Sequence, residues 1–140
     1  MSRFLLDTDT LSLLQYGHPA VVKRINQTPT IDIAISTISL HEQIQGWQNS
    51  VARARDRAQL ALVHQFMVAR LLPSWSQFSV IPINEPALGR FDQLVGMRLN
   101  VGAMDLRIAA VALEYNLTVV TRNLRDFRRV PALITEDWSI

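Results

Sequence analysis

Short apolar segments alternate with longer segments of helical periodicity along the chain. This alternation is typical of a parallel β-sheet whose strands are connected and covered by helices, and it argues against a β-sandwich or a helical bundle. The chain has 140 residues, of which 49% are hydrophobic. That is enough for one compact domain with a core, but too little for two. We therefore predict an α/β fold in which residues 1–140 form a single domain.

Strands are predicted where apolar and β-branched residues form runs that are too short for helices. The four clearest runs cover residues 4–6, 31–36, 78–83 and 117–121, and a weaker edge strand is predicted near residues 133–135. The predicted sheet therefore contains four or five parallel strands flanked by helices.

Helices are predicted where apolar residues recur at spacings of three and four. The predicted helices cover residues 10–15, 39–47, 58–72, 85–98 and 104–115. Ser39 is the predicted N-cap of its helix, with Glu42 at the spacing of a capping box. The helix over residues 58–72 is predicted to end before Pro73 and is apolar around most of its circumference. We expect it to be buried within the fold, with a second copy or a partner as the alternative cover.

The composition excludes several classes of protein. There is no cysteine, which rules out a disulfide framework and a zinc site built from thiolates. The first residues lack the long apolar stretch of a signal peptide, and no later stretch is apolar over the length of a membrane span. We therefore expect a cytoplasmic protein that makes no membrane contact.

An arginine cluster lies near the C-terminus, although the formal net charge of the chain is only +2. Its members are Arg122, Arg125, Arg128 and Arg129, and the only acid among them is Asp126. A solvated helix face is the commoner explanation of such a cluster. The alternative is a surface that contacts the phosphates of a nucleic acid.

Four acidic residues fall where predicted strands end or the following helices begin. Asp7 follows the first strand, and Glu42 lies in the first turn of the helix after the second strand. Asp105 opens a helix, and Asp126 follows the strand that ends at Thr121. In a parallel sheet these positions share one edge, where ligands bind. We therefore expect the four carboxylates to converge.

Crowded carboxylates raise one another's pKa, so such a cluster is costly unless a cation neutralises it. Oxygen ligands without cysteine or a pair of histidines favour Mg²⁺ or Mn²⁺ over zinc. These ions promote hydrolysis of phosphodiesters. Each acid alone has a simpler explanation, such as a helix cap or a surface ion pair. Their joint placement favours a metal-dependent nuclease.

The motifs around these acids resemble those of a known family. They are FLLDTD at residues 4–9, ISLHE at 38–42, DLRIAA at 105–110 and TVVTRNLRDF at 118–127. With them, nearly the whole chain resembles the PIN-domain ribonucleases and, among these, the VapC-type toxins of bacterial toxin–antitoxin pairs. The last motif is the most specific of the four.

The resemblance implies particular roles for the acids. Asp7 and Asp105 would be the principal ligands of Mg²⁺ or Mn²⁺, and Glu42 and Asp126 would bind the ion directly or through water. Three further residues would support the site from its surroundings, namely Asp9, Thr121 and Asn123. The resemblance also implies a five-stranded parallel sheet and a homodimer.

The resemblance further implies an RNA substrate, with tRNA and rRNA as the classes to consider, and a VapB-like antitoxin as partner. The antitoxin of such a pair often inserts an arginine into the acidic site, where a guanidinium can pair with the carboxylates. The four clustered arginines are then candidates for contacts with RNA.

Three alternatives remain open at this stage. One is a PIN-like nuclease of RNA processing rather than a toxin, and another is a catalytically silent RNA-binding module. The third is a phosphatase with an aspartate nucleophile, because Asp7-Thr8-Asp9 matches the Asp-x-Asp start of such enzymes. Those enzymes need a lysine late in the chain, whereas the only lysine here is Lys23.

Overall fold

Five short strands form one parallel sheet in the computed structural model, which describes residues 2–140. They are β1 (Phe4–Leu6), β2 (Ile33–Ser36), β3 (Ser79–Ile81), β4 (Thr118–Val120) and β5 (Thr135–Glu136). The order across the sheet is β3-β2-β1-β4-β5, so β1 lies in the centre. Phe4 of β1 is in register with Ile33 of β2 and with Thr118 of β4. The predicted fold class is therefore confirmed, with five strands rather than four.

Eight α-helices surround this sheet within residues 2–140. They are α1 (Thr8–Gln15), α2 (Pro19–Gln27), α3 (Thr37–Arg53), α4 (Arg57–Phe66), α5 (Leu72–Gln77), α6 (Glu85–Gly96), α7 (Ala103–Tyr115) and α8 (Leu124–Phe127). A 3₁₀ turn over Thr30–Asp32 precedes β2, so this strand is shorter than predicted. No helix in the described part of the chain has the length and apolar character needed to cross a membrane.

The start of α3 differs from the prediction. Its N-cap is Ser36 and not Ser39, because the Ser36 hydroxyl accepts a hydrogen bond from the Ser39 amide at 3.3 Å. Ser36 is also the last residue of β2, so the helix begins directly at the end of the strand. Glu42 therefore lies in the second turn of α3, and the predicted capping box is wrong.

The helix predicted over residues 58–72 continues past Pro73. A π-helical turn over Met67–Leu71 joins α4 to α5, and Pro73 lies in the first turn of α5. Pro73 has no amide hydrogen to donate, and the changed hydrogen-bond spacing of the π-helical turn before it accommodates the proline within a continuous helix.

The expected burial of this helical segment within the fold is also wrong. Leu62 and Val68 are 63% and 67% exposed, and none of the α4 residues is fully buried. The sheet is covered by other helices, so these apolar side chains stay on the surface of this chain. Cover by a second copy or a partner remains a prediction.

Two apolar clusters, one on each face of the sheet, hold the strands in place. Successive residues of a strand point to opposite faces. Leu5 accordingly packs in one cluster with α7, where Ala109 and Ala110 are completely buried, while Phe4 and Leu6 pack in the other. Because the central strand is buried on both faces, the residues that follow it have a firmly fixed position.

Candidate active site

Asp7 directly follows the central strand and is almost completely buried. Its Oδ1 accepts a hydrogen bond from the Thr10 amide at 2.8 Å, so the residue is the N-cap of α1. Burial raises the pKa of the Asp7 carboxyl, and hydrogen bonds from Thr121 and Thr10 oppose this shift. Capping alone does not require burial of the carboxylate, so a second role for Asp7 is favoured.

Glu42 is oriented by the hydroxyl group of Thr8. Thr8 Oγ1 donates a hydrogen bond to Glu42 Oε1 at 2.6 Å and lies 3.0 Å from Ser39 Oγ. Because Thr8 belongs to α1 and the other two residues belong to α3, these contacts fix the two helix starts relative to each other. Sequence analysis missed Thr8, although its position between two acids was a signal.

Asp105 lies in the first turn of α7, and the pKa of its carboxyl is affected by the other three acids. The pKa of its carboxyl is raised to about 6, first by burial and then by three neighbouring carboxylates, while a hydrogen bond from Asn123 opposes the shift. In decreasing order, these neighbours are Asp7, Glu42 and Asp126. Asp105 is therefore close enough to each of the other three acids chosen from the sequence for their charges to repel its own.

Asp126 is linked to Asp105 by hydrogen bonds from the side chain of Asn123. Asn123 Nδ2 donates a hydrogen bond to Asp126 Oδ2 at 3.0 Å and to Asp105 Oδ2 at 3.5 Å. The backbone N–H of Asn123 in turn donates a hydrogen bond to Thr121 Oγ1 at 2.9 Å, and Thr121 is completely buried. This chain of contacts is consistent with the supporting roles that the resemblance implied for Thr121 and Asn123.

A pocket of about 520 Å³ at the carboxyl edge of the sheet brings most of these side chains together. Its lining residues are Asp7, Thr8, Asp9, Ser12, Glu42, Asp105, Arg122 and Asn123. Asp126 is not among them. The only lysine, Lys23, is an exposed residue of α2 and does not line the pocket either, which weighs against the phosphatase alternative.

Asp9 and Arg122 form an ion pair at the mouth of the pocket. The guanidinium donates two hydrogen bonds to the carboxylate, at 2.7 and 3.0 Å, and both side chains are about half exposed. Arg125 and Arg128 are exposed, whereas Arg129 is less so and contacts Asp126. Contacts between the arginine cluster and RNA remain a prediction.

The carboxylates fit Mg²⁺ or Mn²⁺ by their chemistry, since all the candidate donors are hard oxygen atoms. Besides burial, repulsion from neighbouring carboxylates contributes to the raised pKa of Asp105, and a divalent cation would relieve this repulsion. Within residues 2–140, however, no three acidic or histidine side chains are grouped closely enough to form a ready-made metal site. A bound ion would have to draw the carboxylates together.

The sequence model of the PIN domain family matches residues 4–133 of the chain. The chain belongs to the PIN domain family. This PIN domain is 32% identical, over 99% of both chains, to the tRNA(fMet)-specific endonuclease VapC of Salmonella typhimurium.

Solved structures agree with this assignment. The PIN domain matches a chain of DNA-bound VapBC from Salmonella typhimurium with a TM-score of 0.76 and 34% identity, over 99% of both chains. It also matches a chain of VapBC2 from Rickettsia felis, bound to a promoter DNA fragment, with a TM-score of 0.66 and 26% identity. That match covers 96% of this chain and 98% of the other. The family resemblance read from the motifs is therefore confirmed.

The raised pKa of Asp105 predicts how stability depends on pH when no divalent cation is bound. Its carboxyl titrates near 6 in the folded protein but has a usual value of 3.8, so the folded state binds the proton more tightly. The ionised carboxylate therefore destabilises the fold above about pH 6, and this loss disappears as the pH falls towards about 4. In EDTA at neutral pH, Asp105→Asn should have a higher Tm than the unmodified protein.

The Tm difference should shrink as the pH is lowered through this window. Added Mg²⁺ should raise the Tm of the unmodified protein more than that of the variant, because the ion relieves the same repulsion. A Tm difference that stays constant across the pH range would contradict the electrostatic origin of the effect.

Proposed function

We propose that this PIN domain is a Mg²⁺- or Mn²⁺-dependent endoribonuclease that acts in the cytoplasm as the toxin of a VapBC-type toxin–antitoxin pair. The observation that carries the proposal is the environment of Asp105, whose carboxyl is raised in pKa by burial and by three other acids at the carboxyl edge of the sheet. The relatives named VapC ribonucleases or endonucleases support the same activity.

Each residue of the site has a part that its geometry supports. Asp7 and Asp105 would hold the cation, and Glu42, oriented by Thr8, would complete its ligands or accept a proton from the attacking water. Asn123 would keep the Asp105 carboxylate in place by donating to Oδ2. When bound, the cation would polarise the scissile phosphodiester and lower the pKa of a water molecule.

A structured RNA of the tRNA class is the substrate we favour. Two relatives that align over almost the entire chain, at 32% and 31% identity, are named tRNA(fMet)-specific endonucleases. Arg125 and Arg128 would supply contacts to phosphates. Both side chains are exposed, and both residues lie within two positions of Asp126 in the sequence.

A VapB-like antitoxin is the partner we favour, within an assembly that contains a toxin homodimer. A groove of about 490 Å³ shares Thr8, Ser12 and Glu42 with the acidic pocket and continues to Leu62 and Phe66 of α4. An apolar partner segment seated in this groove would cover the exposed side chains of α4 and end at the carboxylates.

Replacement of Asp7 tests the nuclease activity. Asp7→Asn should reduce cleavage of tRNA by about 100-fold or more in the presence of Mg²⁺, because the amide has no charge with which to hold a cation. Asparagine is as good an N-cap as aspartate, so α1 and the Tm should be preserved. Asp56→Asn is the matched control, since Asp56 is the exposed N-cap of α4. If Asp7→Asn cleaves as fast as the control, the proposed activity is wrong.

The arginine cluster predicts how RNA binding depends on salt. In the inactive Asp7→Asn background, Arg125→Ala combined with Arg128→Ala should weaken tRNA binding. The slope of log K against log salt should fall by about 0.7 for each lost phosphate contact. Fluorescence anisotropy over a salt series measures both quantities. Unchanged affinity and slope would remove these arginines from the interface.

A further inference from the structure

Arg129 differs from the other three members of the arginine cluster. Its side chain is 32% exposed, compared with 49% for Arg122, and it contacts two parts of the protein. Nη1 donates a hydrogen bond to the carbonyl oxygen of Asn100 at 2.8 Å and lies 3.5 Å from Asp126 Oδ1. The guanidinium is therefore engaged by two groups of the protein itself.

The first contact lies in the loop over residues 97–102, which connects α6 to α7. Arg98 and Asn100 have φ angles of 53° and 59°, in the left-handed region that residues other than glycine rarely adopt. Such a loop conformation persists only when its surroundings fix it. The hydrogen bond from Arg129 to Asn100 is a contact that does so.

The loop leads directly into the helix that carries Asp105. It ends at Gly102, the N-cap of α7, and Asp105 follows within the first turn of that helix. The body of α7 is fixed by its buried side chains against the sheet, but no side chain caps its first turn, so the loop that leads into it helps to hold that turn. A change in the loop would therefore move the Asp105 carboxylate relative to Asp7 on the central strand.

The second contact reaches the same carboxylate by another route. Asp126 Oδ1 faces Arg129, and Oδ2 accepts the hydrogen bond from Asn123, whose amide nitrogen also lies 3.5 Å from Asp105 Oδ2. Both oxygens of Asp126 are thus engaged by groups of the protein. Arg129 orients Asp126, Asp126 orients Asn123, and Asn123 orients Asp105.

We propose that Arg129 is a positioning residue of the active site, which clamps the 97–102 loop to Asp126 and thereby fixes the Asp105 carboxylate from two sides. This role replaces the RNA contact predicted for Arg129 from the sequence, and its catalytic consequence rests on the proposed function. Asp126 then serves the site mainly as the anchor between Arg129 and Asn123.

Two substitutions separate a clamp from a phosphate contact. Arg129→Ala removes both contacts. Arg129→Lys keeps the positive charge, but lysine ends one bond short of the Nη1 position and cannot reach Asn100 and Asp126 together. A phosphate contact would largely survive in the lysine variant, whereas the clamp would not. Arg128→Ala is the matched control, because Arg128 is an exposed neighbour in the same cluster.

The first measurement is hydrogen–deuterium exchange of the metal-free protein, which needs no enzymatic activity. Amides of residues 98–105 should exchange about 10-fold faster in Arg129→Ala and Arg129→Lys than in the unmodified protein, and those of the sheet should not change. Exchange in Arg128→Ala should match the unmodified protein. Equal exchange of this loop in all four proteins would overturn the proposal.

The second measurement concerns Mn²⁺, RNA and turnover. Both Arg129 variants should bind Mn²⁺ about 10-fold more weakly by electron paramagnetic resonance and lose a similar factor in kcat, the usual range for residues that orient ligands. In the Asp7→Asn background, their affinity for tRNA should stay within about twofold of that of Asp7→Asn alone. The slope of log K against log salt should not change. A loss of RNA affinity equal to that of Arg128→Ala, with normal Mn²⁺ binding, would overturn the proposal.

These outcomes are distinguishable from a failure of the proposed function. If the unmodified protein cleaves no RNA, the nuclease assignment fails, while the exchange and Mn²⁺ measurements still decide the role of Arg129. If Arg129→Ala does not fold, the lysine variant gives the same comparison.

Discussion

Repulsion among carboxylates is the constraint on which the rest of this structure depends. Asp7 is buried, and the pKa of Asp105 is raised to about 6 by burial and by three other acids. The free energy of unfolding of a typical domain is only about 5–15 kcal/mol, so repulsion among uncompensated carboxylates can lower it substantially. The fold tolerates it because the central strand is buried on both faces and fixes the base of the pocket. A divalent cation would remove much of the remaining repulsion.

Hydrogen bonds from neighbouring residues orient the acids before any cation is present. The Thr10 amide holds Asp7, the Thr8 hydroxyl holds Glu42, and Asn123 contacts Asp105. Such partners limit the directions in which a carboxylate can point, and this lowers the cost of assembling a metal site. The site is therefore partly organised, and the final approach of the ligands is left to the ion.

Much of the fold and of the candidate site could be predicted from local sequence patterns. The apolar runs gave the five strands, and the acids at strand ends gave the pocket, because strand ends in a parallel sheet must share one edge. Among the predictions that were wrong, two concern where helices begin and end, which depends on the structure of the neighbouring residues. Ser36 and Ser39 are both good caps, and only the end of β2 selects Ser36. Pro73 usually ends a helix, but a π-helical turn before it lets the helix continue.

The sequence by itself determined the fold class and the family and proposed the candidate acids, because periodicity, capping and motif spacing are properties of nearby residues. Only the tertiary structure decided which side chains touch. It separated Arg129, which contacts Asn100 and Asp126, from the exposed Arg128 beside it, and it left the apolar side of α4 on the surface. The physical reason is that these contacts join residues far apart in sequence, whose distances are set by the packing of whole helices against the sheet.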